Sequence, residues 1–239
     1  MTDNADKQPR LLRERFLRGE EHENLYVTFA LYFVIVLMSV MLIFVYLVGM
    51  CHVQGTSMNP SLDDGEYVLM LKNAGKIKSG DIITFRGEVI KNGEKVEESL
   101  IKRVIGVGGD ELVFIAREGT GYVDLYRKAK GEDKFELLDN SKFTEGDAKI
   151  DDMLKSTVTS GKFAANLAPD PSAENIEKYK FTVDEGYLFV LGDNRNDSQD
   201  SRSFGMVDVK YVRGKMFYKL TKNSILERLL LLIYRGDEI

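Results

Sequence analysis

Ser57, inside Val53-Gln54-Gly55-Thr56-Ser57-Met58-Asn59-Pro60, is the side chain with the plainest chemical use. A serine hydroxyl is a weak nucleophile until a neighbouring base takes its proton. Only two histidines are available, His22 and His52. His22 precedes a long apolar run that reads as a membrane anchor, and so falls on the opposite side of the bilayer. His52 sits five residues before the serine with no acid in view to orient it, whereas a base must come within about 3 Å of the hydroxyl. Lysine is the remaining type of base. A free lysine titrates near 10.4, so it can serve at neutral pH only if burial lowers that value. Lys102, in Leu100-Ile101-Lys102-Arg103-Val104-Ile105, has an apolar strand around it and no adjacent carboxylate. If the strand alternates, Lys102 shares a face with Leu100 and Val104 while Arg103 points the other way. Two readings stay open on this segment: a buried base, or an outward-facing strand residue.

The elements that must position these residues begin with a polar tail, residues 1–24, carrying Lys7, Arg10, Arg13, Arg15 and Arg18 before Glu20, Glu21 and Glu23. It reads as a short basic amphipathic helix on anionic lipid or as a solvated tail. Residues 25–50 form the anchor, and from Tyr26 to Met50 there is no charged residue, His, Asn, Gln or Pro. As a helix this run spans roughly 37 Å at about 1.5 Å per residue, more than the ~30 Å hydrocarbon core. It is too long for the apolar part of a cleaved leader, and no Ala-x-Ala-like site follows it. The basic residues precede the span and the next, Lys72, lies well after it. The positive-inside rule therefore puts the N-terminus in the cytoplasm and the bulk of the protein outside, with Ser57 at the membrane face.

Residues 51–222 read as a β-rich domain. Tyr67–Leu71 follows an Asp-Gly turn, Ile82–Phe85 follows Gly80-Asp81, and Asn92-Gly93 is the strongest hairpin signal, flanked by Val89-Ile90 and the run Ser99–Val107. Glu111–Ala116 resumes extended structure. Residues 117–180 are less patterned and read as an insertion on this domain. Gly186–Leu191 is a strand buried on both faces that runs into Gly192-Asp193-Asn194-Arg195, and Val207–Leu220 is again β-rich. Residues 223–239 form a short helix and tail, opened by Ser224-Ile225-Leu226-Glu227 at capping-box spacing. Its apolar stretch Leu229–Tyr234 is too short to span a bilayer and either dips into the outer leaflet or packs under the domain.

A formal charge of −5 argues against nucleic acid as a partner. With Cys51 the one cysteine, no intrachain disulfide forms, and with two histidines no zinc site is in prospect. Neither metal nor cofactor is expected.

Four segments now stand in order behind an anchor: Gly55-Thr56-Ser57-Met58-Asn59-Pro60, Gly80-Asp81-Ile82-Ile83, Lys102-Arg103-Val104-Ile105-Gly106, and Gly192-Asp193-Asn194-Arg195 through Asp200-Ser201-Arg202. In this the chain resembles the bacterial type I signal peptidases, membrane-anchored Ser/Lys proteases, over about residues 26–116 and 183–220. The resemblance implies a mostly β fold of antiparallel coiled sheets with a β-rich insertion, on one N-terminal transmembrane helix. It implies Ser57 as nucleophile and Lys102 as general base, working through an acyl-enzyme. Ser198 would hydrogen-bond the lysine amine, Asp200 and Arg202 would form a supporting ion pair, and Gly192 would support the same segment. The implied partners are preprotein signal peptides, the lipid bilayer and the neighbouring secretion translocon, with the catalytic domain outside the cell membrane.

The sequence departs from the family pattern at several points. Asn196-Asp197 reverses an Asp-Asn pair, Gly108 replaces a proline, and Gly55 stands where some members carry an oxyanion-binding serine. The backbone N–H of Ser57 is then the main oxyanion donor. Three competing readings remain: another protease of the same Ser/Lys clan, a non-catalytic anchored module that binds exported peptides, and an inactive relative retaining the fold.

Overall fold

The computed structural model describes residues 7–91, 93–138, 150, 152–220 and 224–233. The chain divides into two units, Met1–Leu47 and Val48–Ile239. The first contains one helix, α1 (Lys7–Leu47), so the basic tail from Lys7 onward continues without a break into the apolar run. Its segment Leu25–Leu47 has 23 residues, a mean hydropathy of 2.7 and no burial against protein, which fits it to cross a bilayer. Inside it, Ser39 closes its hydroxyl on the carbonyl of Ile35 at 2.8 Å, satisfying a polar group that lipid could not.

The helix stops three residues short of the end of the apolar run expected to form the anchor. Val48, Gly49 and Met50 belong instead to β1 (Val48–His52), which pairs residue for residue with β2 (Tyr67–Leu71) from Val48↔Leu71 to His52↔Tyr67. Val48 is buried beside Leu69, Leu220 and Leu230. Apolar residues wanted by a protein core and by lipid look alike in sequence, so hydropathy alone overran the boundary.

The second unit continues with β3 (Ile82–Lys91), β4 (Glu94–Val107), β5 (Glu111–Ala116), β6 (Tyr122–Lys128), β7 (Glu136–Leu137) and β8 (Met153–Leu154). Then come α2 (Lys155–Thr159), β9 (Leu167–Ala168), α3 (Ala173–Tyr179), β10 (Phe181–Thr182), β11 (Tyr187–Leu191), α4 (Ser201–Phe204), β12 (Val207–Asp208), β13 (Val212–Lys219) and α5 (Ile225–Ile233). One sheet is antiparallel throughout, in the order β1-β2-β13-β3-β4-β11-β12. The second runs β10-β5-β6-β7, with β8 on β6 and β9 parallel to β5. This is the mostly antiparallel β-domain expected.

The hairpin between β3 and β4 forms, with Lys91↔Glu94 as its last pair and Gly93 at φ 85°, a backbone region that glycine enters without steric cost, while Asn92 lies outside the described residues. β4 starts at Glu94 rather than Ser99, because the polar stretch Glu94–Glu98 stays paired with β3 as a two-stranded ribbon.

The region 117–180 does not stand apart. Val123, Leu125, Met153 and Val158 pack with Leu112 and Phe114 of β5, Ile105 of β4, and Phe189 and Leu191 of β11 in one core. Its strands extend the second sheet, and that shared core ties it to the strand that carries Lys102. The final helix packs through Leu230 while Ile225 and Leu229 stay exposed, so it is docked by one edge. Tyr234 lies outside the described residues.

Candidate active site

Ser57 lies in the loop between β1 and β2. That loop is closed at its neck by main-chain bonds from Val53 N–H to Glu66 O (2.8 Å) and from Gly65 N–H to Val53 O (2.9 Å). Gly55, at φ 84°, turns its N–H onto the Asp64 carboxylate at 2.7 Å, a conformation that side-chain-bearing residues adopt with strain. Val53, Met58 and Leu62 are buried with Val68, Met70 and Ile101, so apolar residues on both sides of Ser57 fix the loop to the sheet.

Lys102 is in β4 between two neighbours, opposite Ile83 of β3 and beside Arg103, which pairs with Leu191 of β11. It is 3% exposed, which removes the reading as an outward-facing strand residue. Its Nζ lies 2.7 Å from Ser57 Oγ and donates to the carbonyl of Ile101 at 3.0 Å. Burial lowers its pKa from 10.5 to about 8, against the opposing pull of Asp200 and then Asp193. A hydroxyl at hydrogen-bond distance from an amine that is partly neutral near physiological pH can be deprotonated as it attacks a carbonyl carbon.

The segment after β11 wraps behind this pair. Asn194 donates its N–H to Ser57 O (3.1 Å) and its side-chain amide to Thr56 O (3.2 Å). Gly192 lies so close that a Cβ built on it would sit 2.4 Å from Ser57 O and 2.2 Å from Ser198 Oγ, which leaves room for glycine alone. Asp200 accepts from Gly192 N–H at 3.1 Å and holds the Arg202 guanidinium by two bonds, 2.8 Å from Nε and 2.7 Å from Nη2. Both residues are buried, so this pair is not a solvent-screened surface contact. Ser198 differs from the expectation: its Oγ is shielded from solvent and has no hydrogen-bond partner, so the bond to the Lys102 amine is not made here.

Sequence reasoning missed a second buried pair. Arg103 grips Asp193 through Nε (2.8 Å) and Nη2 (2.6 Å) and also donates to Gly80 O and Ser61 Oγ. The available signal was Arg103 inside an apolar strand and Asp193 directly after another, each a charge that demands a partner once buried. Arg195 was likewise passed over. It is fully buried, its Nε and Nη2 lack partners, and burial lowers its pKa to about 10.

The N–H of Ser57 enters no hydrogen bond among the described residues. The neighbouring Thr56 hydroxyl is engaged, donating to Asp197 at 3.2 Å. A cavity of about 230 Å³ opens on the same sheet, with Met50, Cys51 and Met70 at its apolar part and Lys72, Ser99 and Arg213 as polar lining. Burial raises the Cys51 thiol to about 11, keeping it protonated and unreactive. No cluster of metal-ligating side chains occurs among the described residues.

Comparison with known proteins shows what this chain is similar to. The family model described as "Signal peptidase, peptidase S26" matches residues 26–221. Signal peptidase IB of Staphylococcus aureus is 30% identical over 170 residues, covering 70% of this chain and 74% of that protein. Signal peptidase I of Streptococcus pneumoniae is 31% identical over 180 residues, covering 70% and 79%. A crystal structure of a signal peptidase I from Enterococcus faecalis aligns with 61% of this chain and 99% of its own, at 23% identity and a TM-score of 0.34. The match across residues 26–221 takes in the anchor, the Ser57 loop, the Lys102 strand and the segment after β11, and on it this chain belongs to the signal peptidase family, peptidase S26.

Proposed function

We propose that this protein removes N-terminal signal peptides from exported preproteins, with Ser57 as nucleophile and Lys102 as general base. The observation that carries the reading is the 2.7 Å separation of Lys102 Nζ from Ser57 Oγ inside a buried strand. Neutral Lys102 accepts the hydroxyl proton as Oγ bonds to the carbonyl carbon. The resulting ammonium gives that proton to the leaving amine as the C–N bond breaks, leaving an ester on Ser57. Lys102 then takes a proton from water, whose oxygen attacks the ester carbon, and Oγ leaves with the proton returned by the amine.

The oxyanion at each tetrahedral stage falls to the main-chain N–H of Ser57, since Gly55 has no hydroxyl and that of Thr56 is committed to Asp197. Asp200, Arg202 and Gly192 support the segment that backs the pair. Ser198, with an unused hydroxyl, is assigned to the amine during turnover. The substrate segment binds extended along the sheet, as peptides do by strand addition.

The anchor gives the chemistry its setting. The N-terminus lies in the cytoplasm and the domain beyond the membrane, beside the secretion translocon, so that enzyme and substrate meet within one bilayer at raised effective concentration.

The test is cleavage of a preprotein by the full chain in lipid or detergent, beside Ser57→Ala and Lys102→Ala. Both variants are expected to lose cleavage. Undiminished cutting by either sinks the mechanism, and an inactive parent favours a module that only binds exported peptides.

A further inference from the structure

Residues 152–162, within the insertion, make a concentrated set of polar contacts with the segment that backs the site. Asn196 uses both ends of its amide: Nδ2 donates to Asp152 O at 3.0 Å and Oδ1 accepts from Leu154 N–H at 2.9 Å. Thr157 Oγ1 accepts from Arg202 Nη1 at 2.8 Å while donating to Leu154 O at 2.7 Å, so its hydroxyl links the start of α2 to the buried guanidinium. Lys162 donates its N–H to Arg202 O and its Nζ to Phe204 O, each at 2.7 Å. Between them Gly161 packs so tightly that a Cβ would stand 2.4 Å from Arg202 O.

The same segment is tied on its other side to the nucleophile loop. Asp197, next to Asn196, accepts from Thr56 Oγ1, and Asn194 bonds both Thr56 O and Ser57 O. The backing segment is therefore held between two bodies, the insertion and the Ser57 loop, by bonds with directional geometry. A surface insertion that only covered core would need apolar contact and not this set of bonds.

We propose that residues 152–162 are a positioning element for the Ser57/Lys102 pair, acting through Asn196 and Arg202. This rests on Ser57 and Lys102 being the reacting groups. The reversed Asn196-Asp197 order has a purpose in this account: the amide faces the insertion and the carboxylate faces Thr56. Neither Asn196 nor Thr157 touches the reacting atoms, so each acts by fixing the distance and burial of the pair. A misplacement of about 1 Å at such a site costs up to about a hundredfold in rate.

The experiment measures kcat, KM and the pH profile of preprotein cleavage by the full chain in detergent micelles, for Asn196→Ala, Thr157→Val and Thr157→Ser, with Ser57→Ala alongside. Asn196→Ala and Thr157→Val are expected to lower kcat about tenfold with KM within about twofold. Their acid limb should move to higher pH, because a backing segment that recedes lets water reach Lys102, whose charged neighbours are Asp193 and Asp200. Thr157→Ser, which keeps the hydroxyl, should restore the parental kcat and midpoint. A role confined to folding would lower Tm and leave kcat and midpoint unchanged. Folded variants with parental kcat and midpoint overturn the proposal, as does a loss that Thr157→Ser fails to rescue. Should Asn196→Ala fail to fold, Thr157→Val, which keeps the volume and drops the hydroxyl, and Thr157→Ser, which keeps the hydroxyl and drops a methyl, decide the matter. Retained cleavage by Ser57→Ala would instead remove the reading on which the proposal stands, whatever the other variants do.

Discussion

Replacing Lys102 by methionine should make this protein inactive and more stable at neutral pH. The lysine is 3% exposed, and its pKa moves from 10.5 to about 8 because burial disfavours the charged form. At 1.36 kcal/mol per unit, that displacement represents ~3 kcal/mol set against the folded state whenever the amine is protonated in both states. The sign follows from the depressed value. Below pH 8 both folded and unfolded chains carry the proton and the whole penalty is present. Between about 8 and 10.5 the folded lysine is neutral while the unfolded one still binds a proton, so the penalty fades, and above 10.5 it is gone. Methionine fills a similar volume without a charge. It also forfeits the bonds that Nζ makes with Ser57 Oγ and Ile101 O, at about 0.5–1.5 kcal/mol each. The net gain at pH 7 is then about 0–2 kcal/mol, which for a domain of this size raises Tm by up to roughly 8 °C. Thermal unfolding of the full chain in a mild detergent, followed by far-UV circular dichroism, gives the difference at pH 7 and again at pH 10.5. The methionine variant should lead at pH 7 and lose that lead at pH 10.5. A variant equally destabilised at both values would refute the reasoning, because no suppressed charge would then be present to relieve.

Three further outcomes follow from the same site. If Lys102 is the base, cleavage needs the neutral amine, so kcat/KM should rise with pH through a midpoint near 8, with about a tenth of the full rate at pH 7; a midpoint near 10 would mean a lysine whose pKa burial does not lower, and one near 6.5 a different base. Asp193→Asn leaves the Arg103 guanidinium buried without its counter-charge and should cost about 3–5 kcal/mol, read as lost Tm, whereas joint apolar replacement of Arg103 and Asp193 should recover most of it. Ser198→Ala removes a hydroxyl that has no partner in the resting site, so stability should change by less than about 1 kcal/mol while kcat falls about tenfold; an unchanged kcat would end the assignment of Ser198 to the amine.

What could be read from sequence was whatever is encoded locally. Asn92-Gly93 gave its hairpin, the Gly186–Leu191 run gave a buried strand, and the apolar run from Leu25 gave the membrane helix. The end of that helix was misjudged because Val48, Gly49 and Met50 answer to β2, a partner far along the chain. The reach of β4 back to Glu94 was missed for a similar reason: polar residues in a two-stranded ribbon lack the alternation that marks a half-buried strand. At the site, residue type and context raised Ser57 and Lys102 as candidates but left Lys102 open between a buried base and an outward-facing strand residue, and it was the family resemblance that paired them. The contacts of Arg103 with Asp193, and of Thr157 and Asn196 across the insertion, depend on tertiary closure that no local pattern reports.

Lys102 and Arg103 are adjacent cations on one buried strand, and their different fates explain the shape of the site. Burial opposes charge on both. Lysine can answer by giving up its proton, because its pKa begins within reach of neutrality once water is removed. Arginine cannot, since guanidinium stays protonated in proteins, and its charge is best matched by a carboxylate. Arg103 has that match in the two-point contact with Asp193, whereas Lys102 Nζ bonds a hydroxyl and a carbonyl, Asp193 and Asp200 acting on it without either bonding to it. A carboxylate in contact with Nζ would hold the proton in place and end its use as a base. Asp200 is kept from that position by its own bonds to Arg202 and Gly192. The two ion pairs therefore do more than brace the segment. Each occupies a carboxylate that could otherwise hold the proton on Lys102, the proposed base, so exchanging Arg202 for a neutral residue should release Asp200 toward Nζ and move the acid limb of the rate profile upward, away from pH 8.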